Sequence, residues 1–349
     1  MIFASDNWAG AHPKVNAAIA SHNAGFARAY GNSDLDKEVT KTFGRVFERD
    51  VAVFFVSTGT AANSLSLALA NKPGGVGFYH SEAHAIMDEG GAPEYITGGG
   101  RLCPVPGALG RMDAKGLEQA IGRYPAQFIH SGRPMAVSIT QSTEIGTVYG
   151  LDQIAAISKV ARKAELPLHM DGARFANALV SLNARPAEMT WKRGIDTLSF
   201  GGTKNGCWCA EAIVLFDKDK ASEMAFIHKR AAQLFSKSRF IAAQFAAYFE
   251  DDLWLDNARH SNSLAKRLAG HIRASKAIRL AWEPQANEVF AVIAAKEQKR
   301  LTKKGVVFHT WAQPLDFAGK LAAGEDICRF VTSFATTADD VDRLGDLIA

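Results

Sequence analysis

Short apolar segments alternate with helical segments along most of the chain, and this alternation constrains the fold more than any other feature. Residues 51–56 form a continuous run of aliphatic and aromatic side chains, which is typical of a strand buried on both faces in a parallel sheet. A polar turn at 57–60 follows, and the pattern at 61–71 predicts a helix that ends before Pro73. Together these segments predict one βα unit.

The same alternation is repeated on both sides of this unit. Apolar residues three and four apart predict an amphipathic helix over 35–47. A second helix is predicted over 152–165, and further strands are predicted at 136–140, 168–171, 197–200 and 212–216. Such a succession predicts the α/β class, with a mostly parallel sheet covered by helices on both faces.

The pattern changes after about residue 250. A polar helix is predicted over 257–274 and a final helix, capped by Thr337, over 337–348, with predicted strands at 277–281, 288–294, 306–311 and 327–334. The charged stretch 296–304 is expected to be solvated surface. We therefore expect a large domain over residues 1–250 and a small α+β domain over 251–349, with residues 1–15 as a segment that can pack with the small domain.

Composition excludes several functional classes. The 349 residues are 47% hydrophobic and 22% charged, too apolar for a disordered chain. A net charge of +4, without blocks of basic residues, predicts no nucleic-acid partner. No apolar run approaches the ~18 residues of a membrane span, and the first residues do not resemble a secretory signal. We expect a cytoplasmic protein without a membrane partner. Four cysteines are too few for a disulfide framework.

The turn after the first predicted strand is a candidate phosphate site. The beginning of a helix offers unpaired N–H groups and the positive end of the helix dipole. Gly59 would allow close approach of a ligand to the backbone, and Thr60 would add a hydroxyl donor. The alternative is an ordinary turn with a threonine cap. Neither a Walker A sequence nor G-x-G-x-x-G is present, which disfavours a nucleotide-dependent dehydrogenase.

Two later turns also carry candidate functional residues. Residues 169–174 (His-Met-Asp-Gly-Ala-Arg) end a predicted strand, where open α/β sheets bind their ligands. Asp171 is suited to a cationic ring nitrogen and Arg174 to a carboxylate, although the two could equally form an ion pair within the loop. Lys204 lies in a glycine-rich turn that leaves room for a bulky group at a Schiff-base amine. Its alternative is an ordinary surface lysine.

A phosphate site, an acidic residue for a ring nitrogen and then a lysine are the parts that hold pyridoxal phosphate. With these residues, the chain resembles the threonine aldolase family of fold-type-I pyridoxal-phosphate enzymes, and in particular the low-specificity L-threonine aldolases. The resemblance covers nearly the whole chain. The matching segments are residues 5–7, 57–63, His84 with 88–92, 169–174, the Lys204 turn and 328–332.

The resemblance implies a fold like that of aspartate aminotransferase, with a small C-terminal α+β domain. It also implies roles in cofactor binding. Lys204 would form the internal aldimine, His84 would stack on the ring, and an ionised Asp171 would keep the ring nitrogen protonated. Gly59 and Thr60 would hold the phosphate.

Further implied roles concern the substrate and the rest of the cofactor site. Ser5, Arg174 and Arg329 would bind the carboxylate of an amino acid, with Arg174 also counted among the cofactor-binding residues. Thr203 is a candidate phosphate contact, although a serine is more usual in the family at this turn.

One segment departs from the family pattern. The family commonly has Glu-Asn-Thr-His where this chain has Gln-Ser-Thr-Glu at 141–144, so that Glu144 replaces a histidine close to the substrate hydroxyl. Either Glu144 or His84 acting through water is then the catalytic base. His80 and His84 lie four residues apart, but no third and fourth ligand stand at suitable spacing, so we expect no metal.

The activity implied is cleavage of L-threonine, L-allo-threonine and related β-hydroxy-α-amino acids to glycine and an aldehyde. Alternatives within the same fold are a β-eliminating lyase, a racemase or an aminotransferase. A non-enzymatic regulator would need an added DNA-binding module, which we do not expect because the matches begin at Ser5.

The family also implies a homodimer or homotetramer with active sites at the dimer interface. Four basic residues are candidates for contact with a neighbouring subunit's phosphate, the alternative being a solvated helix face: Lys229, Arg230, Lys237 and Arg239.

Overall fold

A seven-stranded sheet organises the first two thirds of the chain. The computed structural model describes residues 1–125, 127–315 and 317–349. The strand order in the sheet is β1-β7-β6-β5-β4-β2-β3. The strands are β1 (Ala52–Val56), β2 (Gly75–His80), β3 (Arg101–Val105), β4 (Arg133–Thr140), β5 (Leu168–Gly172), β6 (Thr197–Gly201) and β7 (Glu211–Leu215).

Strands β2 to β6 are parallel to one another, which confirms the predicted mostly parallel sheet. Strand β7 is antiparallel to both of its neighbours, β6 and β1. Strand β1 therefore runs in the same direction as β2 to β6. The carboxyl ends of six strands consequently meet at one edge of the sheet.

The expectation that β1 pairs as a parallel strand is wrong, because β1 is an edge strand paired with antiparallel β7. Its apolar run reflects burial on its two faces. Phe55 packs in one hydrophobic core and Val56 in another, on the opposite side of the sheet. The pattern of side chains along a strand indicates whether its two faces are buried. It carries no information about the direction of the neighbouring strand.

Two strands, β2 and β3, were not predicted from the sequence. Glycines open β2 and Pro104 lies within β3, and both residue types weaken the strand pattern. At Gly75 the glycine is required by packing, since a Cβ there would collide with Met135 Sδ and Lys72 O.

Helices connect the strands and pack on this sheet or, near the end of the chain, on a second one. They are α1 (Pro13–Ser21), α2 (Asp34–Val46), α3 (Gly59–Leu69), α4 (His84–Met87), α5 (Ala92–Ile96), α6 (Ala114–Gly122), α7 (Leu151–Lys163), α8 (Phe175–Leu182), α9 (Pro186–Met189), α10 (Ala221–Arg230), α11 (Arg239–Phe249), α12 (Leu253–Ala274), α13 (Ala295–Lys303) and α14 (Ala338–Ile348). Among the helices described, none has both the length and the apolar composition that a bilayer crossing requires.

A second, four-stranded antiparallel sheet lies in the last third of the chain. Its order is β10-β11-β9-β8, with β8 (Arg279–Leu280), β9 (Glu288–Ala294), β10 (His309–Trp311) and β11 (Glu325–Val331). Thr337 caps α14, as predicted, by accepting a hydrogen bond from Asp340 N. The charged stretch 296–304 belongs mostly to helix α13, whose buried residue is Leu301.

The N-terminal segment connects the two sheets. Phe3 lies in the hydrophobic core of the second sheet, where its N–H donates to Val307 O and its carbonyl accepts from Val331 N. A short 3₁₀ helix at Asp6–Trp8 follows and packs against a second one at Thr203–Asn205, beyond the end of β6. The segment thereby brings Asp6 to the carboxyl edge of the large sheet.

Phe200, on β6, lies at the centre of the aromatic core, with rings of Phe43, Phe175 and Phe245 at centroid distances of 5.3, 5.6 and 5.9 Å. We expect Phe200→Ala to lower the free energy of unfolding by about 3–5 kcal/mol, because it leaves a cavity in a close-packed core. Urea unfolding measures this change. Phe226→Ala is the control: Phe226 is 77% exposed, and its loss should cost less than about 0.5 kcal/mol. Equal effects would contradict this account of the core.

Candidate active site

Helix α3 begins at the carboxyl edge of the sheet. The Thr58 hydroxyl caps it by accepting a hydrogen bond from Ala61 N at 3.1 Å. Gly59 and Thr60 form its first turn, whose N–H groups lack partners within the helix. A Cβ at Gly59 would meet no atom within 4 Å, so that this end of the helix faces open space.

A cavity of about 260 Å³ lies at this end of the helix. It brings together six of the residues predicted from the sequence: Gly59, Thr60, His84, Asp171, Thr203 and Lys204. Its other lining residues are Asn7, Ser57, Thr58, Asn63, Ala173 and Glu211. The four remaining predicted residues, Ser5, Glu144, Arg174 and Arg329, are not part of this lining.

Lys204 lies in the 3₁₀ turn after β6 and is half-buried. Its ammonium has no hydrogen bond or ion pair to any described residue. The turn itself is firmly held, because Asn205 Nδ2 donates to Tyr248 Oη at 2.7 Å and to Trp254 O at 2.8 Å. Gly202 is required here, since a Cβ would lie 2.8 Å from Ala210 O. A rigid turn thus presents a free amine to the cavity.

Thr203, beside this lysine, is already engaged within the turn. Its Oγ1 accepts a hydrogen bond from Ala210 N at 3.2 Å, and its N–H donates to Glu211 Oε1 at 3.2 Å. Burial raises the pKa of Glu211 to about 7.

Asp171 lies on β5 with its carboxylate turned toward the cavity. Oδ1 accepts from Ala173 N and Oδ2 accepts from Asn63 Nδ2, both at 3.0 Å. Burial, followed by the negative charge of Glu144, raises its pKa. The groups of the chain itself therefore disfavour the ionised Asp171 that the family resemblance implies. That expectation requires a further cation next to the carboxylate.

A hydrogen-bonded chain extends from Asp171 to His84, and the sequence assigned no role to its two middle members. Asn63 Nδ2 also donates to Glu89 Oε1 at 2.7 Å, and the same oxygen lies 3.0 Å from His84 Nδ1. This hydrogen bond to Glu89 raises the pKa of His84. Burial raises the pKa of Glu89 in turn. Asn63 and Glu89 lie in segments on which the family resemblance rests, and this was the one indication in the sequence of their importance.

A buried charged cluster lies next to the cavity. Arg174 donates from Nε to Asp6 Oδ2 at 2.8 Å and from Nη2 to Asp6 Oδ1 at 3.0 Å. Burial raises the pKa of Asp6, but the ion pair with Arg174 outweighs this effect and lowers it. On the second sheet, the Arg329 guanidinium lies 4.3 Å from the centre of the Trp311 ring. Ser5 precedes Asp6, and its Oγ accepts from Asn7 N.

Glu144 follows β4 in a buried loop, where it interacts electrostatically with Lys204 and His84 of the cavity lining and with both arginines. Burial raises its pKa, but the positive charges of Lys204 and Arg174, assisted by His84 and Arg329, outweigh it and lower the pKa below the usual value. The loop is fixed by a hydrogen bond from Thr143 N to Thr147 O. Glu144 is therefore an ionised carboxylate between Lys204 and the two arginines.

The remaining predicted features concern metals and neighbouring subunits. Within residues 1–125, 127–315 and 317–349, no group of three or more His, Cys, Asp or Glu side chains is arranged to hold a metal ion. His80 lies within hydrogen-bond distance of Gly107 O at 2.9 Å. Lys229, Arg230 and Lys237 are exposed, whereas Arg239 donates to Gly25 O.

Comparison with known proteins identifies the family. The model of the beta-eliminating lyase family matches residues 3–296. A low specificity L-threonine aldolase of Pseudomonas aeruginosa is 39% identical over 99% of this chain and 95% of its own length. The chain belongs to the threonine aldolases of the beta-eliminating lyase family. The family resemblance predicted from the motifs is thereby confirmed.

A second relative and a solved structure agree with the assignment to the threonine aldolases. A low specificity L-threonine aldolase of a Pseudomonas species, strain NCIMB 10558, is 40% identical over 88% of this chain and 89% of its own length. The solved structure of Leishmania major threonine aldolase has a TM-score of 0.91 and 27% identity, and covers 99% of this chain and 98% of that one. Both domains of the predicted fold are therefore shared with threonine aldolases.

Proposed function

We propose that the protein is a pyridoxal-phosphate-dependent low-specificity L-threonine aldolase, which cleaves L-threonine, L-allo-threonine and related β-hydroxy-α-amino acids to glycine and an aldehyde. One observation carries this proposal. A free lysine amine, a buried carboxylate and the beginning of a helix line a single cavity. The aldolase names of the relatives favour aldol cleavage over β-elimination.

The cavity suits pyridoxal phosphate in the chemistry of its lining. The first turn of α3 offers N–H donors to a phosphate, with open space beside Gly59. Burial favours the neutral form of Glu211 near pH 7, which reduces its repulsion of a phosphate. His84 offers a flat ring and Asp171 a carboxylate. Solved enzymes of the same fold contain this cofactor.

Each residue is assigned one task in the proposed reaction. Bound pyridoxal phosphate supplies an electron sink that stabilises negative charge at Cα of an amino acid. Lys204 would hold the cofactor covalently through its amine, and Asp171 would hold a proton at the ring nitrogen. His84 would pack against the cofactor ring. Gly59 and Thr60 would bind the phosphate, with Thr203 as a secondary contact.

The substrate is bound and deprotonated by residues of the charged cluster. Ser5, Arg174 and Arg329 bind its carboxylate and orient the Cα–Cβ bond. Glu144 accepts the proton of the β-hydroxyl as this bond breaks, which releases the aldehyde while the electron pair remains at Cα. One proton returned to Cα, which balances the one taken from the hydroxyl, then gives glycine. A positioned base of this kind contributes about 10²–10⁴-fold to the rate.

The test of the function is the identity of the products. Purified protein supplied with pyridoxal phosphate should acquire a visible absorption band and should convert L-threonine to acetaldehyde and glycine in equal amounts. An aldehyde assay and a keto-acid assay on the same sample decide the question. Keto acid with ammonia would instead identify a β-eliminating lyase, and loss of enantiomeric purity would identify a racemase.

The choice between Glu144 and His84 as the base is decided by pH dependence. The pKa of Glu144 is lowered, so it stays ionised through neutral and mildly acidic pH. The pKa of His84 is raised above 6.5, so its neutral form is lost as the pH falls through that raised value. We expect kcat at saturating threonine to stay nearly constant from pH 8 to 6, and Glu144→Gln to lower kcat about 10²-fold.

The same profile measured on His84→Gln serves as the control for this prediction. A steep fall in kcat of the wild type below pH 7, absent in that variant, would assign the base to His84. Loss of less than threefold in kcat on Glu144→Gln would contradict the role of Glu144.

The finer organisation also belongs to this proposal. We place the domain boundary near residue 250 and propose a homodimer or homotetramer with active sites at the dimer interface. Phe26 is fully exposed and Tyr30 half exposed, as expected of a subunit contact, and Lys229 Nζ lies 5.8 Å from the centre of the Tyr30 ring. Lys229, Arg230, Lys237 and Arg239 are the candidates for contact with the phosphate of the neighbouring subunit.

Light scattering after gel filtration measures the number of subunits in the oligomer. The cytoplasmic location of the protein stays a prediction.

A further inference from the structure

Glu288, at the start of β9, lies between the two arginines proposed to bind the substrate carboxylate. Its Oε2 is 3.3 Å from Arg174 Nη1, and its Oε1 is 3.5 Å from Arg329 Nη1. Its side chain is completely buried, with 0% exposed. The protein thus has a carboxylate of its own at the place where a substrate carboxylate is expected.

The contacts made by Glu288 are weaker than those made by Asp6. Arg174 donates two short hydrogen bonds to Asp6, whereas its third nitrogen, Nη1, has no hydrogen-bond acceptor among the described residues. Arg329 Nε and Glu288 Oε2 are likewise buried without a hydrogen-bond partner in the described parts of the chain. Unsatisfied buried donors cost free energy. A ligand carboxylate would satisfy donors that Glu288 leaves unpaired.

The charges around Glu288 do not balance. Four charged groups face it: Arg174 after β5, Arg329 on β11, Glu144 after β4 and Asp6 in the N-terminal segment. With Glu288 itself, three carboxylates share two guanidinium groups. Lys204 is a further cation near Asp6 and Glu144, but its amine is the group proposed to hold the cofactor. A ligand carboxylate would add a fourth negative charge to the same buried region, where like charges repel strongly. Uptake of a proton by one of the three resident carboxylates relieves this repulsion.

Glu288 is the resident carboxylate best suited to take up that proton. Asp6 is held in a bidentate ion pair, and Glu144 also faces Lys204, so the pKa of each is lowered. Burial, by contrast, raises the pKa of Glu288 to about 7 in spite of both arginines. The Glu288 side chain is also close-packed, because it is 0% exposed and a Cβ at Gly146 would lie 3.1 Å from its Cβ. Protonation therefore requires less rearrangement than movement of the side chain out of the site.

We propose that Glu288 is a positioning residue that takes up a proton from solvent when a substrate carboxylate binds to Arg174 and Arg329. Neutral Glu288 leaves Arg174 Nη1 and the Arg329 guanidinium to the ligand, whereas ionised Glu288 competes with it. The affinity for the carboxylate is therefore highest at low pH and falls as the pH rises, by up to tenfold per pH unit. The inference rests on the proposed function in one respect, that the ligand of these arginines is a carboxylate.

The experiment uses 3-hydroxybutyrate as the probe and the pyridoxal-phosphate-loaded enzyme. This molecule has the carboxylate and β-hydroxyl of threonine but no amine, so it cannot react with the cofactor aldehyde. Titration calorimetry in two buffers of different ionisation enthalpy counts the protons taken up on binding. We expect uptake approaching one proton per ligand at pH 8, and an affinity that falls about tenfold between pH 7.5 and 8.5.

Variants assign this proton to Glu288. Glu288→Gln should bind the probe with little proton uptake and with an affinity nearly independent of pH. Asp6→Asn removes a negative charge next to Arg174 but retains Glu288, so the dependence of the affinity on pH should persist. Glu283→Gln changes a glutamate whose side chain is 66% exposed, and should behave like the wild type.

Two outcomes would overturn the inference. Binding by the wild type without proton uptake and with constant affinity from pH 6 to 9 would exclude the coupling, whether or not Glu288→Gln folds. A Glu288→Gln variant that melts like the wild type and retains its full pH dependence would assign the proton to another group. Failure of the aldolase assay with both binding results intact would instead contradict the proposed function and leave the coupling standing.

Discussion

Replacing Lys204 with alanine is expected to lower the release of acetaldehyde from threonine by about 10³-fold or more and to abolish the visible absorption band. A loss of this size corresponds to about 4 kcal/mol in the activation free energy. Lys204 is the lysine among the described residues that line the cavity, and its amine has no competing partner there. No neighbouring group in that lining supplies another amine to hold the cofactor.

Two comparison variants make this result specific. Lys204→Arg keeps the positive charge but lacks a nucleophilic amine, so it should lose colour and activity like the alanine variant. Lys220→Ala removes an exposed lysine remote from the cavity and should leave both unchanged. An alanine variant at Lys204 that still turns yellow and cleaves threonine would refute the assignment of the site.

Replacing Asp171 with asparagine is expected to lower kcat by about 10²–10³-fold, with a smaller change in KM. The amide can retain the hydrogen bond from Ala173 N but cannot hold a proton at a ring nitrogen by charge. Because Lys204 is intact, the variant should still bind the cofactor and remain coloured. The measurement is kcat at saturating threonine together with the absorption spectrum.

The matched control for this variant is a carboxylate at the other end of the sheet. Asp196 is largely buried, and its Oδ2 accepts a hydrogen bond from Leu168 N at 2.8 Å. Asp196→Asn keeps an acceptor for that bond and should leave kcat within about threefold of the wild type. If Asp171→Asn behaves in the same way, Asp171 does not support the charge at Cα.

The large sheet was predicted from hydrophobic periodicity, and the errors of that prediction have identifiable causes. Strands β4 and β7 were recognised because apolar and β-branched residues are frequent in them, and β5 and β6 were recognised as short apolar segments. Strands β2 and β3 were missed because glycine and proline interrupt that composition. The antiparallel direction of β7 has no counterpart in a local pattern, because pairing direction depends on how the chain returns to the sheet.

Part of the candidate site could likewise be predicted from the sequence, and part of it could not. The turns that carry Gly59, Asp171 and Lys204 follow strands in the sequence, so their meeting at one edge of the sheet could be anticipated. Asp6 lies in the matching segment 5–7, but neither its ion pair with Arg174 nor the presence of Glu288 in the site could be anticipated. Asp6 meets Arg174 across 168 positions of sequence, and no local spacing relates such residues.

The sequence by itself determined the α/β class, the turns at the ends of the strands and the family, since these depend on local periodicity and on short motifs. Tertiary structure alone decided the strand order, the hydrogen-bonded chain from Asp171 through Asn63 and Glu89 to His84, and the sharing of two arginines by three carboxylates. These features arise from contacts between distant segments. Their energies depend on burial and on neighbouring charge, which exist only once the chain has folded.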